Sequence, residues 1–193
     1  AGSSRDLLTM GEEVILQKSQ SLRIDTHVLE AASKQILSRQ RPGGLADAEM
    51  REVTAALDGY AGPFLDGCDG EWILQERERL HCLFVRGTFE LMRNAAMQGR
   101  YEHALAFGRR ILAADPLRES VQRDVMLLLV LNGQRVEAIR SYKRLVSLMR
   151  AELNIDPMPE TTQLHAKIVS GEIFNLLTEY ARAQFGSVIE PSE

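Results

Sequence analysis

The sequence predicts an all-α protein, a stack of antiparallel helix pairs, and its N-terminus is compatible with a short β-ribbon. Three observations favour this fold class. Apolar residues recur at helical spacing along most of the chain, and a glycine-containing segment recurs after 34 residues. Aromatic residues make up only 6% of the sequence, which favours helices over a β-sandwich. A chain of 193 residues is long enough to bury a core without metal or disulfide support.

The charge and cysteine content narrow the functional classes. With 23 Lys and Arg against 27 Asp and Glu, the formal net charge is −4, so the chain as a whole has no electrostatic reason to bind nucleic acid. Cys68 and Cys82 show no Cys-x-x-Cys spacing, which favours a reducing compartment, and we expect a cytoplasmic protein. No apolar run approaches the roughly 20 residues that cross a bilayer, so no membrane partner is expected.

The first 24 residues are predicted to be a remnant of, or a linker from, a preceding domain. Apolar residues alternate with polar ones around Val14–Leu16 and Leu22–Ile24, on either side of a break at Ser19–Ser21. This pattern predicts a two-stranded ribbon. Because such a ribbon is marginally stable in water, it must pack against the neighbouring helices or form the edge of another domain.

Residues 25–98 are predicted to form three helices. The first starts at Asp25, a suitable N-cap, and ends before the Pro-Gly-Gly that comes after Arg41. The second covers about 46–57, and a long third helix covers 71–98. The glycine-rich loop of residues 58–70 contains Phe64 and Leu65, and we expect these apolar side chains to fold it back onto the helices.

A helical repeat occupies the next part of the chain. Gly99-Arg-Tyr-Glu-His-Ala-Leu and Gly133-Gln-Arg-Val-Glu-Ala-Ile are 34 residues apart, and Ala104 and Ala138 keep the same interval. A turn glycine followed by a small residue at this period is typical of tetratricopeptide (TPR) repeats. The glycine ends one helix, and the alanine lets the next approach closely. A helix running to about Leu153 ends before Pro157, and a further helix starts at Glu160.

Five segments in order resemble the bacterial transcriptional activator domain of SARP-type regulators: Tyr60-Ala-Gly-Pro-Phe-Leu-Asp-Gly with Glu71-Trp-Ile-Leu-Gln-Glu-Arg-Glu-Arg-Leu, the two glycine segments of the repeat, Asp115-Pro-Leu-Arg-Glu, and Ala151-Glu-Leu-Asn-Ile-Asp-Pro-Met-Pro-Glu. The similarity covers about residues 24–171. It implies a TPR-like domain that follows a winged-helix DNA-binding domain, in proteins that activate transcription by engaging RNA polymerase. It also implies that DNA is bound only through that separate N-terminal domain.

Catalytic and metal sites are not expected. Cys68, His81, Cys82 and His103 are the residues considered as a zinc site, but His81 and Cys82 are adjacent on a helix and point about 100° apart. We therefore interpret them as buried thiols and ordinary helix histidines. The sequence has no Ser-His-Asp order, no phosphate-binding glycine loop and no recognisable carboxylate pair, so neither enzyme activity nor a cofactor is predicted.

A basic cluster is the first candidate binding site. Residues 99–153 contain ten Lys and Arg against six Asp and Glu, a net charge of +4, which leaves −8 for the rest of the chain. Arg109, Arg110, Lys143 and Arg144 occupy matched repeat positions, so stacked repeats would place them in neighbouring rows. There they could meet an acidic surface or DNA phosphates. The alternative is an ordinary solvated helix face.

The C-terminal residues 172–193 are predicted to form a capping helix and tail. Its apolar side would carry Ile173, Phe174, Leu176, Leu177 and Tyr180, which would pack on the preceding helix pair or pair with a second copy as a homodimer. Residues 25–171 would then be the TPR-like domain. The first functional hypothesis is a regulatory module of a transcription activator that engages RNA polymerase or another protein. A stand-alone TPR adaptor for a peptide or protein is the second, and an enzyme is the third.

Overall fold

The computed structural model describes residues 7–10, 13–16, 24–38 and 45–172. Within these ranges the chain forms two strands and seven helices. They are β1 (Leu7–Met10), β2 (Glu13–Leu16), α1 (Asp25–Ser38), α2 (Asp47–Leu57), α3 (Glu71–Met97), α4 (Tyr101–Ala114), α5 (Glu119–Leu131), α6 (Arg135–Leu153) and α7 (Pro159–Ser170). The predicted all-α stack of helix pairs is confirmed.

The N-terminal ribbon differs from its prediction in the choice of strands. β2 covers the first predicted strand, but it pairs antiparallel with β1, in the register Leu7↔Leu16 to Met10↔Glu13. Ile24, expected in the second strand, lies outside any strand. Two residues separate β1 from β2 in sequence, so this pairing closes a short loop at little entropic cost. Leu7 and Leu8 are apolar residues like Val14 and Leu16, but no strand was predicted there.

Helix pairs joined by short turns make up the stack. α1 packs on α2 and α3, and from α3 to α7 each helix packs against the next. Gly99 and Gly133 end α3 and α5 at positive φ angles of 69° and 73°, a backbone conformation that favours glycine. The residue after each glycine bonds back to its helix, Arg100 N to Ala95 O at 2.9 Å and Gln134 N to Leu129 O at 2.7 Å. The turns of the predicted repeat are therefore equivalent in structure.

The core runs through the whole stack, from Leu29 on α1 to Ile168 on α7, and includes the contact between the two repeats. Ala104 and Ala138, the small residues of the repeat, are completely buried. Gly108 brings α4 close to α5, since a Cβ atom there would stand 2.6 Å from Val125 Cγ2 and 3.2 Å from Met92 Sδ. Large side chains fill the rest, among them Leu91, Met92, Leu105, Ile111, Met126, Leu127 and Leu128. The two repeats thus form one continuous apolar interior.

The loop between α2 and α3 folds back only in part. Phe64 is half-buried and packs against the core, but Leu65 stays 43% exposed. The Arg77 guanidinium of α3 holds the loop by donating to Phe64 O, Leu65 O and Cys68 O at 3.0, 2.9 and 3.3 Å. Polar bonds from one arginine, rather than burial of both apolar side chains, therefore fix this loop.

No helix in the described ranges is long and apolar enough to cross a membrane.

Candidate protein-interaction groove

A groove runs between α4 and α6, with α5 as its floor. We call it the repeat groove; it has a volume of about 290 Å³ and is lined by Arg109, Leu112, Ala113, Pro116, Gln122, Val125, Leu129, Glu137, Ser141, Arg144, Leu145 and Leu148. The walls come from the second helix of each repeat, so the 34-residue period that positions these helices also creates the groove. Its floor is apolar and its edges carry charge.

A buried polar contact fixes α5 against α6 beneath the groove. Gln122 Nε2 donates to Ser141 Oγ at 2.5 Å, and it also lies 3.3 Å from Ser141 O. Both residues are buried, so each polar group is satisfied inside the protein, where an unpaired group would be costly. The contact sets the position of α6 and therefore the width of the groove.

The two edges of the groove differ electrostatically. On α6, Arg144 donates to Glu137 Oε1 at 2.8 Å, and Arg140 lies 3.6 Å from the same carboxylate. The hydrogen bond from Arg144 is the main cause that lowers the pKa of Glu137 below its ordinary value. On α4, Arg109 is exposed and has no hydrogen-bond or ion-pair partner among the described residues. The α4 edge thus presents a free positive charge.

The structure brings two of the four predicted basic residues to the groove and directs the other two elsewhere. Arg109 and Arg144 line it. Arg110 turns to the end of α2, where it donates to Leu57 O, pairs with Asp58 Oδ1 at 2.6 Å, and lies 5.0 Å above the Phe84 ring. Lys143 is exposed on the side of α7, close enough to help lower the pKa of His165. Matched repeat positions therefore do not share one environment.

Glu137 is the groove residue that sequence reasoning missed. It lies seven residues before Arg144 on α6, two helical turns away on the same face. That spacing was visible in the sequence. The prediction was based on the excess of Lys and Arg in residues 99–153. It did not consider that the Glu137 carboxylate pairs with both Arg140 and Arg144.

The cysteines and histidines lie apart from the groove. Cys68 and Cys82 are exposed, so the interpretation as buried thiols is wrong; Cys68 lies on a surface loop, and Cys82 lies on the outer face of α3. The Cys82 thiol donates to Glu78 Oε1 at 3.4 Å, and this bond is the main cause that raises its pKa. His81 Nδ1 lies 3.5 Å from the Tyr60 hydroxyl. Among the residues that the structure describes, no three possible metal ligands converge.

The predicted C-terminal face lies beyond the described residues. Ile173, Phe174, Leu176, Leu177 and Tyr180 all come after Glu172, the last residue described.

Comparison with known proteins connects this helical stack to a family. The family model of the bacterial transcriptional activator domain matches residues 24–169, the helices and both repeats described above. The chain belongs to this family. The resemblance seen in the five sequence segments is confirmed, and the bacterial transcriptional activator domain is a component of transcriptional regulators.

Curated relatives include two kinds of regulator. Transcriptional regulatory protein MoaR1 of Mycobacterium tuberculosis is 27% identical over 177 residues, which cover 86% of this chain and 54% of MoaR1. Regulatory protein AfsR of Streptomyces coelicolor is 30% identical over 122 residues, covering 61% of this chain and 12% of AfsR. AfsR of Streptomyces griseus is 23% identical over 176 residues, covering 88% of this chain and 18% of that protein.

The chain thus spans about half the length of MoaR1 and less than a fifth of either AfsR protein.

Proposed function

We propose that this domain is the regulatory and protein-interaction module of a bacterial transcription activator, and that it engages RNA polymerase through the repeat groove. The observation that carries the proposal is the free guanidinium of Arg109 at the edge of an apolar groove. The family supports a role in transcription. A partner segment with a carboxylate and apolar side chains would complement the groove: the carboxylate would pair with Arg109, and the apolar side chains would pack on the floor formed by α5.

The composition of the groove favours protein over DNA as its occupant. Leu112, Val125, Leu129 and Leu145 line the groove, and a sugar–phosphate backbone has no apolar side chains to bury there. DNA binding is assigned instead to a winged-helix domain preceding this chain in the whole regulator, with residues 1–24 as the connection.

Charge reversal tests this function. The chain would be immobilised and its affinity for RNA polymerase measured, with Arg109→Glu as the test variant. Arg51→Glu is the matched control, since Arg51 is exposed on α2 and likewise has no partner in the described part of the chain. We expect Arg109→Glu to weaken binding about tenfold or more and Arg51→Glu to leave it nearly unchanged. Equal affinities for all three proteins would contradict the assignment of the groove.

We further propose that residues 172–193 cap the stack, and that any apolar surface left over pairs with a second copy. Val136 on α6 and Val169 on α7 are 62% and 48% exposed, and α7 is the last helix before these C-terminal residues. Arg135 holds the end of α7 there by donating to Ile168 O and Val169 O at 2.8 and 2.7 Å. The apolar C-terminal residues would cover this end.

Truncation after Glu172 tests the cap and the dimer separately. Loss of the cap should lower the melting temperature, and loss of a dimer should halve the mass measured by light scattering. A truncated chain of unchanged mass and stability would exclude both roles.

A further inference from the structure

A second cavity lies between the start of α1 and the loop after α2. Its volume is about 530 Å³, and we call it the loop cavity. Apolar groups of Leu29, Tyr60, Phe64 and Leu80 line it. Its charged lining residues are Asp25 and Asp66, and no Lys or Arg of the described ranges lines it. An apolar cavity whose described charged lining residues are both carboxylates favours a ligand that combines apolar groups with positive charge.

The wall of this cavity is rigidly held. The three bonds from Arg77 fix the carbonyl groups of Phe64, Leu65 and Cys68. In the same loop Leu65 adopts a φ angle of 47°, which is uncommon for a residue with a side chain. The surrounding bonds maintain this conformation and direct an apolar side chain outward. A wall that is already in place costs little to order on binding.

An exposed tryptophan lies beside the cavity. Trp72 is 62% exposed, and its ring contacts the edge of the Phe64 ring with the centroids 6.4 Å apart. Large exposed aromatic residues of this kind are enriched among those that dominate binding energy at protein interfaces. Because Phe64 belongs to both, Trp72 and the loop cavity form one continuous surface.

This surface is strongly acidic. Asp66, Asp69 and Glu71 lie between Leu65 and Trp72 in sequence and are exposed. The Arg77 guanidinium is the cation bound to this loop, and the loop's carbonyl groups occupy it. Within the described ranges, the Asp66 carboxylate has no hydrogen-bond or ion-pair partner. Such a surface repels phosphate groups of DNA and anionic lipids. It attracts Lys and Arg, which also bind favourably to aromatic rings.

We propose that the loop cavity and Trp72 together bind a basic amphipathic helix of a protein partner. Apolar side chains of that helix enter the cavity, and its Lys or Arg side chains contact Asp66 and Asp69. The inference rests on the proposed role of the domain as a protein-interaction module. The proposed surface is a second one, opposite in charge to the repeat groove. The loop cavity and the repeat groove have no lining residue in common.

Trp72 provides the measurement, because it is the chain's single tryptophan. The probe is a synthetic amphipathic helical peptide of Leu and Lys, and its counterpart carries Glu in place of each Lys. Titration of the chain with the Lys peptide should shift the Trp72 emission to shorter wavelength as the ring leaves water. The Glu peptide should produce no shift.

Two double variants test whether Asp66 and Asp69 bind the Lys side chains of the peptide. Asp66→Lys with Asp69→Lys should weaken binding of the Lys peptide about tenfold or more. Glu152→Lys with Glu172→Lys changes the net charge equally at exposed positions away from the cavity and should bind nearly as the unsubstituted chain. Because the probe and the variants differ from those of the polymerase experiment, failure of one test leaves the other intact.

Several results would overturn the proposal. They are the absence of an emission shift with the Lys peptide, equal binding of the Glu peptide, equal weakening by both double variants, and a shift produced by duplex DNA. A shift caused by raising the concentration of the chain alone would also overturn it, since a second copy would then occupy the surface.

Discussion

The two halves of the helical stack are held together in different ways. From α4 to α6, completely buried small residues, Ala104 and Ala138 with Gly108, allow close helix contacts at a regular interval. From α1 to α3, polar side chains bind individual backbone groups instead. Asn94 Oδ1 accepts Leu45 N–H at 2.6 Å, and Gln98 Nε2 donates to Leu45 O at 2.9 Å. Apolar side chains pack in both halves, and Gln122 also bonds Ser141 in the repeated half. What differs is that small residues at a regular interval mark the repeated half, whereas bonds to Leu45 mark the N-terminal half.

This difference explains what the sequence could predict. A repeated interval is visible in a single sequence, so both turn glycines and both buried alanines were predicted. The bounds of α3, the end of α6 and the start of α7 were also predicted to within one residue. A side chain that bonds a backbone group 49 residues away, as Asn94 does with Leu45, leaves no periodic signal. The bonds of Arg77 and Arg110 were therefore not predicted.

The same limit applies to the candidate site. Arg109 on α4 and Arg144 on α6 both line the repeat groove, but the pairing of Arg110 with Asp58 depends on the end of α2, outside the repeat. Trp72 lies in the first turn of α3. It is exposed because buried Ile73 occupies the inward direction, and adjacent helical residues point about 100° apart.

The largest expected effect comes from enlarging the small residues of the repeat. Ala104→Leu or Ala138→Leu should lower the free energy of unfolding by about 3 kcal/mol, because neither completely buried site can hold the added carbons. Ala106→Leu is the matched control on the exposed side of α4 and should change stability by less than about 0.5 kcal/mol. Urea unfolding measures all three. If all three substitutions lower the free energy of unfolding equally, close packing at Ala104 and Ala138 does not explain the stability of this half.

A smaller loss is expected from the N-terminal half. Asn94→Ala leaves the buried Leu45 N–H without its acceptor and should cost about 2 kcal/mol. Asn132→Ala, which removes an exposed hydrogen bond to Glu102, should cost less than about 0.5 kcal/mol. Urea unfolding compares the two variants. If they lose the same stability, the bonds to Leu45 do not hold this half together.

The smallest effect concerns pH and the contact between α6 and α7. The His165 ring stacks on Tyr142 with centroids 3.9 Å apart, and its buried Nε2 has no partner among the described residues. Burial, and secondarily Lys143, lowers the pKa of His165. Above the ordinary histidine pKa of about 6.5, the residue is neutral in both states and does not affect stability. Below it, the unfolded chain gains the proton first, so the free energy of unfolding falls until the folded imidazole also protonates.

His165→Gln isolates this contribution from those of the other titrating groups. The variant should lose less stability than the unsubstituted chain between about pH 7 and about pH 5, as measured by urea unfolding at each pH. Parallel pH profiles for the two proteins would show that His165 titrates alike in the folded and unfolded states.

Hydroxyl-radical footprinting of the complex with RNA polymerase tests the central assignment most directly. The oxidation of individual side chains would be compared between the free and the bound chain. Leu112 and Leu148 line the repeat groove and are partly exposed, and Met158 is 53% exposed outside it. We expect oxidation of both leucines to fall in the complex while oxidation of Met158 is unchanged. Leucines that are oxidised equally in the free and bound chain would contradict the assignment of the repeat groove as the polymerase-binding surface.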